Sequence, residues 1–229
     1  MPGKIHNSIL EVSMFIVIDG IDGCGKSTQV KLLNEKLQAR GLPAAVSKWQ
    51  DSNYIQKLYI GDLIKRIQEG SVRIPPESRT FLLSADISYR LENLIKPLLK
   101  KGQIVIGDRY IYKVIAQGIA RGLDKEWLRR LFFFAPVPEL VIMLDVPPDI
   151  SLKRITSSRE ISYYEAGLDV LNATDKEAAY LEFQTRVRSE MLGLMKSVEG
   201  VVIDGMHSVE EQSQMILEQF ELKKKILSV

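Results

Sequence analysis

Gly20-Ile21-Asp22-Gly23-Cys24-Gly25-Lys26-Ser27 sets two glycines, a lysine and a serine in the spacing G-x-x-x-x-G-K-[ST]. The chemistry open to that spacing is phosphate binding. Glycines let the backbone curl until consecutive N–H groups face inward onto phosphate oxygens. A helix opening directly after them adds the partial positive charge of its N-terminus. In this reading the backbone of Asp22, Gly23, Cys24, Gly25, Lys26, Ser27 and Thr28 cradles a nucleoside triphosphate. Lys26 reaches the β- and γ-phosphates, and the Ser27 hydroxyl ligates Mg²⁺. Cys24 fills a free position, since no base stands beside it to make it a nucleophile. The loop alone does not choose among GTPases, motor and partitioning ATPases, and kinases, which all bind a triphosphate in this way.

Such a loop works only between a buried strand and a helix, and the flanking residues read that way. Phe15-Ile16-Val17-Ile18 is a continuous apolar run ending at Asp19-Gly20, the pattern of a strand buried on both faces. From Lys26 to about Arg40, Val30, Leu33 and Leu37 recur on one helical face until Gly41 and Pro43 end it. Further strands are expected at Ala44-Ala45-Val46, Ile104-Val105-Ile106, Leu140 to Leu144 and Val201-Val202-Ile203. Helices are expected over residues 53–69, 77–100 (despite Pro97), 125–134, from 149, and over 174–197. Ser208-Val209-Glu210-Glu211 is a capping box that opens a last helix. Residues 157–173 show no period and are rich in Ser, Tyr and Gly, which predicts a mobile loop. Strands alternating with helices imply an α/β fold with a parallel sheet and helices on both faces. Ligands then sit at the carboxyl ends of the strands, where Asp19-Gly20, Asp108-Arg109 and Asp145 fall.

A chain of 229 residues, 45% hydrophobic and 26% charged, suits one globular domain over residues 14–229, preceded by an extension over 1–13 that the fold does not need. With Cys24 as its one cysteine it forms no internal disulfide, which fits the reducing cytoplasm. The net charge is +2, and the one short basic run, Lys223 to Lys225, reads as a solvated helix end. No nucleic-acid partner is expected. The most apolar stretch, Leu131 to Leu144, is broken by Pro136, Pro138 and Glu139, so no membrane span is expected either. Residues 1–13 lack the apolar core of a signal peptide.

Three segments resemble thymidylate kinases. Residues 15–29, from Phe15 through the phosphate loop to Thr28-Gln29, are similar to that family's opening strand and E/D-G-x-D-x-x-G-K-[ST]-T-Q. Ile95-Lys96-Pro97 followed by Gly102-Gln103 and Asp108-Arg109-Tyr110 resembles its helix, strand and D-R-[YHS] signature, with Gln117-Gly118 and Arg121-Gly122 beyond. Leu144-Asp145 through Lys153-Arg154 is similar to its fourth strand and the entry to a lid. The resemblance implies a P-loop NTPase fold with a five-stranded parallel sheet, ATP with Mg²⁺ as donor, thymidylate as acceptor, a homodimer, and a lid at about 157–173. It also implies that Asp22 lies near the acceptor sugar and that Arg109 holds the acceptor phosphate. Asp108 lies close to the metal and the transferring group, and Arg154 and Arg159 are lid arginines. Gly23 stands where one branch of the family has an arginine, so Arg159 becomes the expected catalytic arginine. Simple charge physics agrees, because two phosphates brought together repel unless cations stand between them. The plainer readings are a surface ion pair for Asp108-Arg109, solvated charges for Arg154 and Arg159, and a structural cap for Asp145.

The acceptor side departs from the pattern. No arginine stands in Ser47 to Asn53, Leu83 takes the place of a stacking phenylalanine, and Ile87 that of a base-reading arginine. After Asp108-Arg109-Tyr110 a family serine is replaced, with Lys113 in the neighbourhood and the segment one residue shorter, and Ser162-Tyr163 replace an acidic-arginine pair. Arg79, Arg90, Trp49 and Lys48 are the residues available to compensate. With Leu83 and Ile87 alone, base discrimination is expected to be loose. A kinase for another nucleotide or a deoxynucleoside, and a P-loop switch or assembly ATPase, stay open as alternatives.

Overall fold

In the computed structural model, residues 13–48, 66–67 and 70–227 are described. Residues 1–12 of the expected extension, Trp49, Asp51 and nearly all of the helix expected at 53–69 lie outside them.

The sheet contains five parallel strands in the order β2-β3-β1-β4-β5. These are β1 (Met14–Asp19), β2 (Ala44–Lys48), β3 (Ile104–Asp108), β4 (Leu140–Asp145) and β5 (Val201–Asp204). All of β1 and β3 is buried, which is why both read as unbroken apolar runs. The edge strands β2 and β5 are partly exposed, which explains the weaker signal of Ala44-Ala45-Val46.

Among the described residues the helices include α1 (Lys26–Ala39), α2 (Pro76–Arg90), α3 (Lys96–Lys100), α4 (Ile111–Ala120), α5 (Lys125–Leu131), α6 (Pro148–Thr156), α7 (Lys176–Ser197) and α8 (Val209–Leu227). Two groups of helices cover the sheet, α1 packing on α8, and α4 on α2 and α7. Val30, Leu33 and Leu37 of α1 are buried, as their spacing requires. Among the described residues the main core joins the strands to α1, α4 and the apolar face of α7. The helical path expected over 77–100 is continuous but not uniform. A π turn at Leu91–Ile95, where the Lys96 N–H reaches back to the Leu91 carbonyl, separates α2 from α3. That wider turn takes up the misfit of Pro97, whose ring lacks an N–H and would crowd the carbonyl four residues back. The helix expected to Phe134 stops at Leu131 and continues as turns through Phe134.

Residues 157–173 form no helix or strand. They run as hydrogen-bonded turns such as Ala166 N–H to Ser162 O (3.2 Å) and Leu171 N–H to Gly167 O (2.8 Å). Ile161 and Ala166 join Leu152 and Ile155 of α6 and Tyr180 of α7 in a small separate apolar cluster. The capping box at Ser208 is formed in both directions, Ser208 N–H to Glu211 Oε2 (2.8 Å) and Glu211 N–H to Ser208 Oγ (3.2 Å).

The pairing register brings Ile18 level with Asp108 and Lys48 level with Asp108 on the other side. Asp145 is level with Asp204. The polar residues that end the strands therefore lie along one edge of the sheet. The connections leaving β1 and β3 run toward opposite sides of the sheet order, and a crevice opens between such strands at their carboxyl ends.

Candidate active site

The loop between β1 and α1 has the backbone its glycines predict. Gly20, Gly23 and Gly25 all have positive φ, at 151°, 75° and 100°. At Gly23 a Cβ would lie 2.9 Å from the Ser151 carbonyl oxygen of α6, so an arginine here would clash with the helix behind the loop. Gly25 is the N-cap of α1, leaving the first N–H groups of the helix without intrahelical acceptors. Cys24 is buried, with its Sγ 3.5 Å from Lys26 Nζ. Lys26 Nζ is itself buried and donates to the carbonyls of Gly20 (2.9 Å) and Ile21 (2.6 Å). Thr28 is exposed on the first turn of α1.

Asp108 and Arg109, at the end of β3, are joined to this loop, not paired as a surface ion pair. The Ser27 hydroxyl donates to Asp108 Oδ2 at 2.7 Å. The other oxygen, Asp108 Oδ1, is buried with no hydrogen-bond partner. Arg109 takes a left-handed φ of 71°, rare for a side chain of its size. Its guanidinium donates to Asp22 Oδ1 at 2.9 Å, while its Nε is buried without an acceptor. Asp22 Oδ1 also meets Lys113 Nζ of α4 at 2.5 Å.

That cluster fixes the protonation of the cleft. Burial pushes the Asp22 carboxyl up, but Lys113, Arg109 and Lys26 together hold it well below the usual range. Burial lowers Lys113 to about 8, with Asp22 opposing the shift and Arg109 and Lys26 adding to it. Asp19 behaves differently, because burial raises it against the nearby lysines and two backbone donors. Those donors are the N–H groups of Gly20 and Lys113, so Asp19 ties the N-terminus of α4 to β1.

The phosphate-loop spacing singles out Lys26 and Ser27, the family resemblance points to Asp22, Asp108 and Arg109, and the fold brings these together. Lys113 was visible only as a departure in this neighbourhood. Ser151 and Tyr180 were not found at all. The Ser151 hydroxyl donates to the Asp22 carbonyl and lies 2.6 Å from the Tyr180 hydroxyl, so α6 and α7 grip the loop from behind. These contacts span 129 and 29 residues, and no local pattern announces them.

The arginines beyond β4 lie further out. Arg154 is exposed and donates to the Gly205 carbonyl at 3.2 Å. Arg159 is exposed and makes two bonds to Glu165 (2.8 and 2.7 Å), an acidic-arginine pair set differently from the one that Ser162-Tyr163 displace. It is near enough to Asp22 to feel that charge. Asp145, expected as a structural cap, is bound by Arg188 of α7 through Nε and Nη2 at 2.6 and 2.7 Å.

Among the compensating candidates, Arg90 is buried beside Asp86 on its own helix, Nε to Oδ2 3.3 Å. Lys48 is exposed at the end of β2. Ile87 is fully buried in the core and Leu83 packs against it. Arg79 places its guanidinium 5.1 Å from the centre of the Tyr164 ring.

The ligand set fits a hard cation that takes few protein ligands. Ser27 offers a hydroxyl and Asp108 an unpaired carboxylate oxygen, and Mg²⁺ draws its remaining ligands from phosphates and water. Among the described residues no helix is long and apolar enough to cross a membrane.

Residues 18–216 match the thymidylate kinase family model. A probable thymidylate kinase of Thermococcus onnurineus is 40% identical over 202 residues, covering 86% of this chain and 92% of that protein. A probable thymidylate kinase 2 of Saccharolobus solfataricus is 36% identical, covering 76% and 79%. The thymidylate kinase of Fervidobacterium nodosum is 32% identical, covering 90% and 98%. Because the match runs from β1 into α8 and takes in the whole of the site, this chain belongs to the thymidylate kinase family.

Proposed function

We propose that this enzyme transfers the γ-phosphoryl group of ATP to dTMP, giving ADP and dTDP, in the crevice between β1 and β3. The observation that carries the reading is Arg109, whose left-handed backbone turns an incompletely paired guanidinium back over the phosphate loop. A planar guanidinium can grip a phosphate dianion with two hydrogen bonds.

An oxygen of the acceptor phosphate attacks the γ-phosphorus, and the bond to the β–γ bridging oxygen breaks. The loop backbone and Lys26 hold the donor phosphates. Arg109 holds the acceptor phosphate in line and offsets its repulsion from the donor, so catalysis is mostly positioning and charge. Ser27 and Asp108 would hold Mg²⁺, which when bound neutralises charge on the phosphate oxygens. Asp22, pinned by Arg109 and Lys113, faces the acceptor. Residues 157–173 act as the lid, and Arg159 exchanges Glu165 for the transferring group as the lid closes and excludes water. Arg154 supports the donor side. The family supports a homodimer as the working form, and the unpaired Cys24 is at home in the cytoplasm.

The test is ATP consumption by the purified enzyme across nucleoside monophosphates and their nucleosides. Turnover with dTMP and none with thymidine is the expected result. Equal turnover of thymidine would remove the phosphate-holding role of Arg109 and contradict the reading.

A further inference from the structure

Lys113, Gln117 and Arg121 follow one another at intervals of four and so share one side of α4 and its C-cap. All three are buried, in a helix that is otherwise mostly apolar. A buried polar stripe is costly unless partnered, so its partners show what it serves. At one end Lys113 meets Asp22 and the phosphate loop. At the other end Arg121 is locked. It binds Asp169 at 2.7 and 3.2 Å, donates to the Tyr164 carbonyl at 2.9 Å and lies 4.4 Å from the Phe183 ring centre. The middle is less settled. Gln117 Oε1 accepts a long bond of 3.5 Å from Arg79 Nη1, and the Arg79 guanidinium lies over the Tyr164 ring. Among the described residues Arg79 makes no ion pair, although it lies within reach of the Asp22 and Asp169 charges.

We propose that Arg79 and Gln117 read the acceptor's base, selecting a ring edge that presents carbonyl oxygens, such as a pyrimidine-2,4-dione, over one that presents an amino group. The proposal rests on the acceptor lying in this cleft, as the proposed function has it. The phosphate-holding group Arg109 and its partner Asp22 stand at one end of the stripe, and the closed Arg121–Asp169 pair at the other, so a base extends toward the middle. What the middle offers is donors. A guanidinium has five N–H groups and no acceptor, and with Oε1 turned to Arg79, Gln117 has its amide N–H₂ left to give. An amino group facing these donors would leave them unpaired, whereas a carbonyl satisfies them. Ile87 and Leu83 belong to the core and supply no polar contact, so loose discrimination no longer follows from them.

The experiment compares kcat/KM for dTMP and dCMP in wild type, Arg79→Met and Gln117→Leu, with KM for ATP as a check on the fold and the donor site. Wild type is expected to prefer dTMP. Arg79→Met should lower kcat/KM for dTMP by about 10- to 100-fold, the worth of one charge-assisted hydrogen bond. It should leave dCMP and ATP nearly unchanged, so the dTMP/dCMP ratio falls by the same factor. Should Arg79→Met fail to fold, Gln117→Leu reads the same ratio, with a fall of several-fold expected. A wild type without preference between the two, or a ratio unchanged in the variants, overturns the assignment while leaving the proposed function standing. A wild type that phosphorylates no dTMP contradicts the proposed function itself.

Discussion

At Arg109 the backbone holds φ at 71°, a conformation that costs about 1–3 kcal/mol for a side chain of this kind. The surrounding contacts keep it there, with the Arg109 N–H on the Ile18 carbonyl (3.2 Å) and the guanidinium on Asp22. Lys26 and Ser27 are legible because they sit in a glycine turn whose spacing the chemistry restricts, whereas the roles of Asp108 and Arg109 come from the family resemblance. Lys113 was legible only as an oddity, since its partner Asp22 stands far away in the sequence. Lys26→Ala should lower kcat by roughly 10²-fold or more, the scale of losing one electrostatic contact to the transition state; turnover near wild type would remove Lys26 from the mechanism. Lys113 adds a pH dependence. Its pKa is lowered to about 8 by burial, against the pull of Asp22, so its charge is lost as pH rises through about 8. Arg109, Lys26 and Asp19 stand around it. The profile of kcat/KM for dTMP, which reports the free enzyme, should therefore fall above about pH 8. Lys113→Met should give a lower profile with that limb removed. A wild-type profile flat through this range would show that the Lys113 ammonium is not needed.

The elements divide by whether their signals are local. Helix α1, the capping box of α8 and the buried strands carry periodicity or caps that any fold would have to respect. The π turn before Pro97 does not, because a wider turn is a response to packing as well as to the missing N–H. Residues 157–173 lack a period because their burial comes from other elements. Gln184 Nε2 of α7 donates to the Glu165 carbonyl at 2.7 Å, and Arg121 reaches the Tyr164 carbonyl. This segment presents Arg159 on its outer side, bound to Glu165 and 48% exposed. The proposed lid motion swaps that carboxylate for a phosphate. Arg159→Ala should accordingly reduce kcat by about 10³-fold with a smaller effect on KM, the low end for an arginine finger. Steady-state kinetics with saturating ATP and dTMP would check it. An unchanged kcat would leave Arg159 as the partner of Glu165 alone and move the role to Arg154.

At the scale of the molecule, alternation of strands and helices was enough to expect a parallel sheet, but not the order β2-β3-β1-β4-β5. Order depends on which strands exchange backbone hydrogen bonds, and five apolar runs look alike in that respect. The order nevertheless decides the function, because it seats β3 beside β1 and so sets Asp108 and Arg109 against the phosphate loop. A P-loop switch would use the same loop to hydrolyse ATP, with water as the acceptor. The two accounts differ in where the phosphoryl group goes, and phosphorus-31 NMR of the enzyme with ATP, Mg²⁺ and dTMP follows it directly. The account predicts one dTDP formed for each ADP, with negligible inorganic phosphate and little ATP loss when dTMP is omitted. Inorganic phosphate released in step with ADP, at the same rate with and without dTMP, would contradict it.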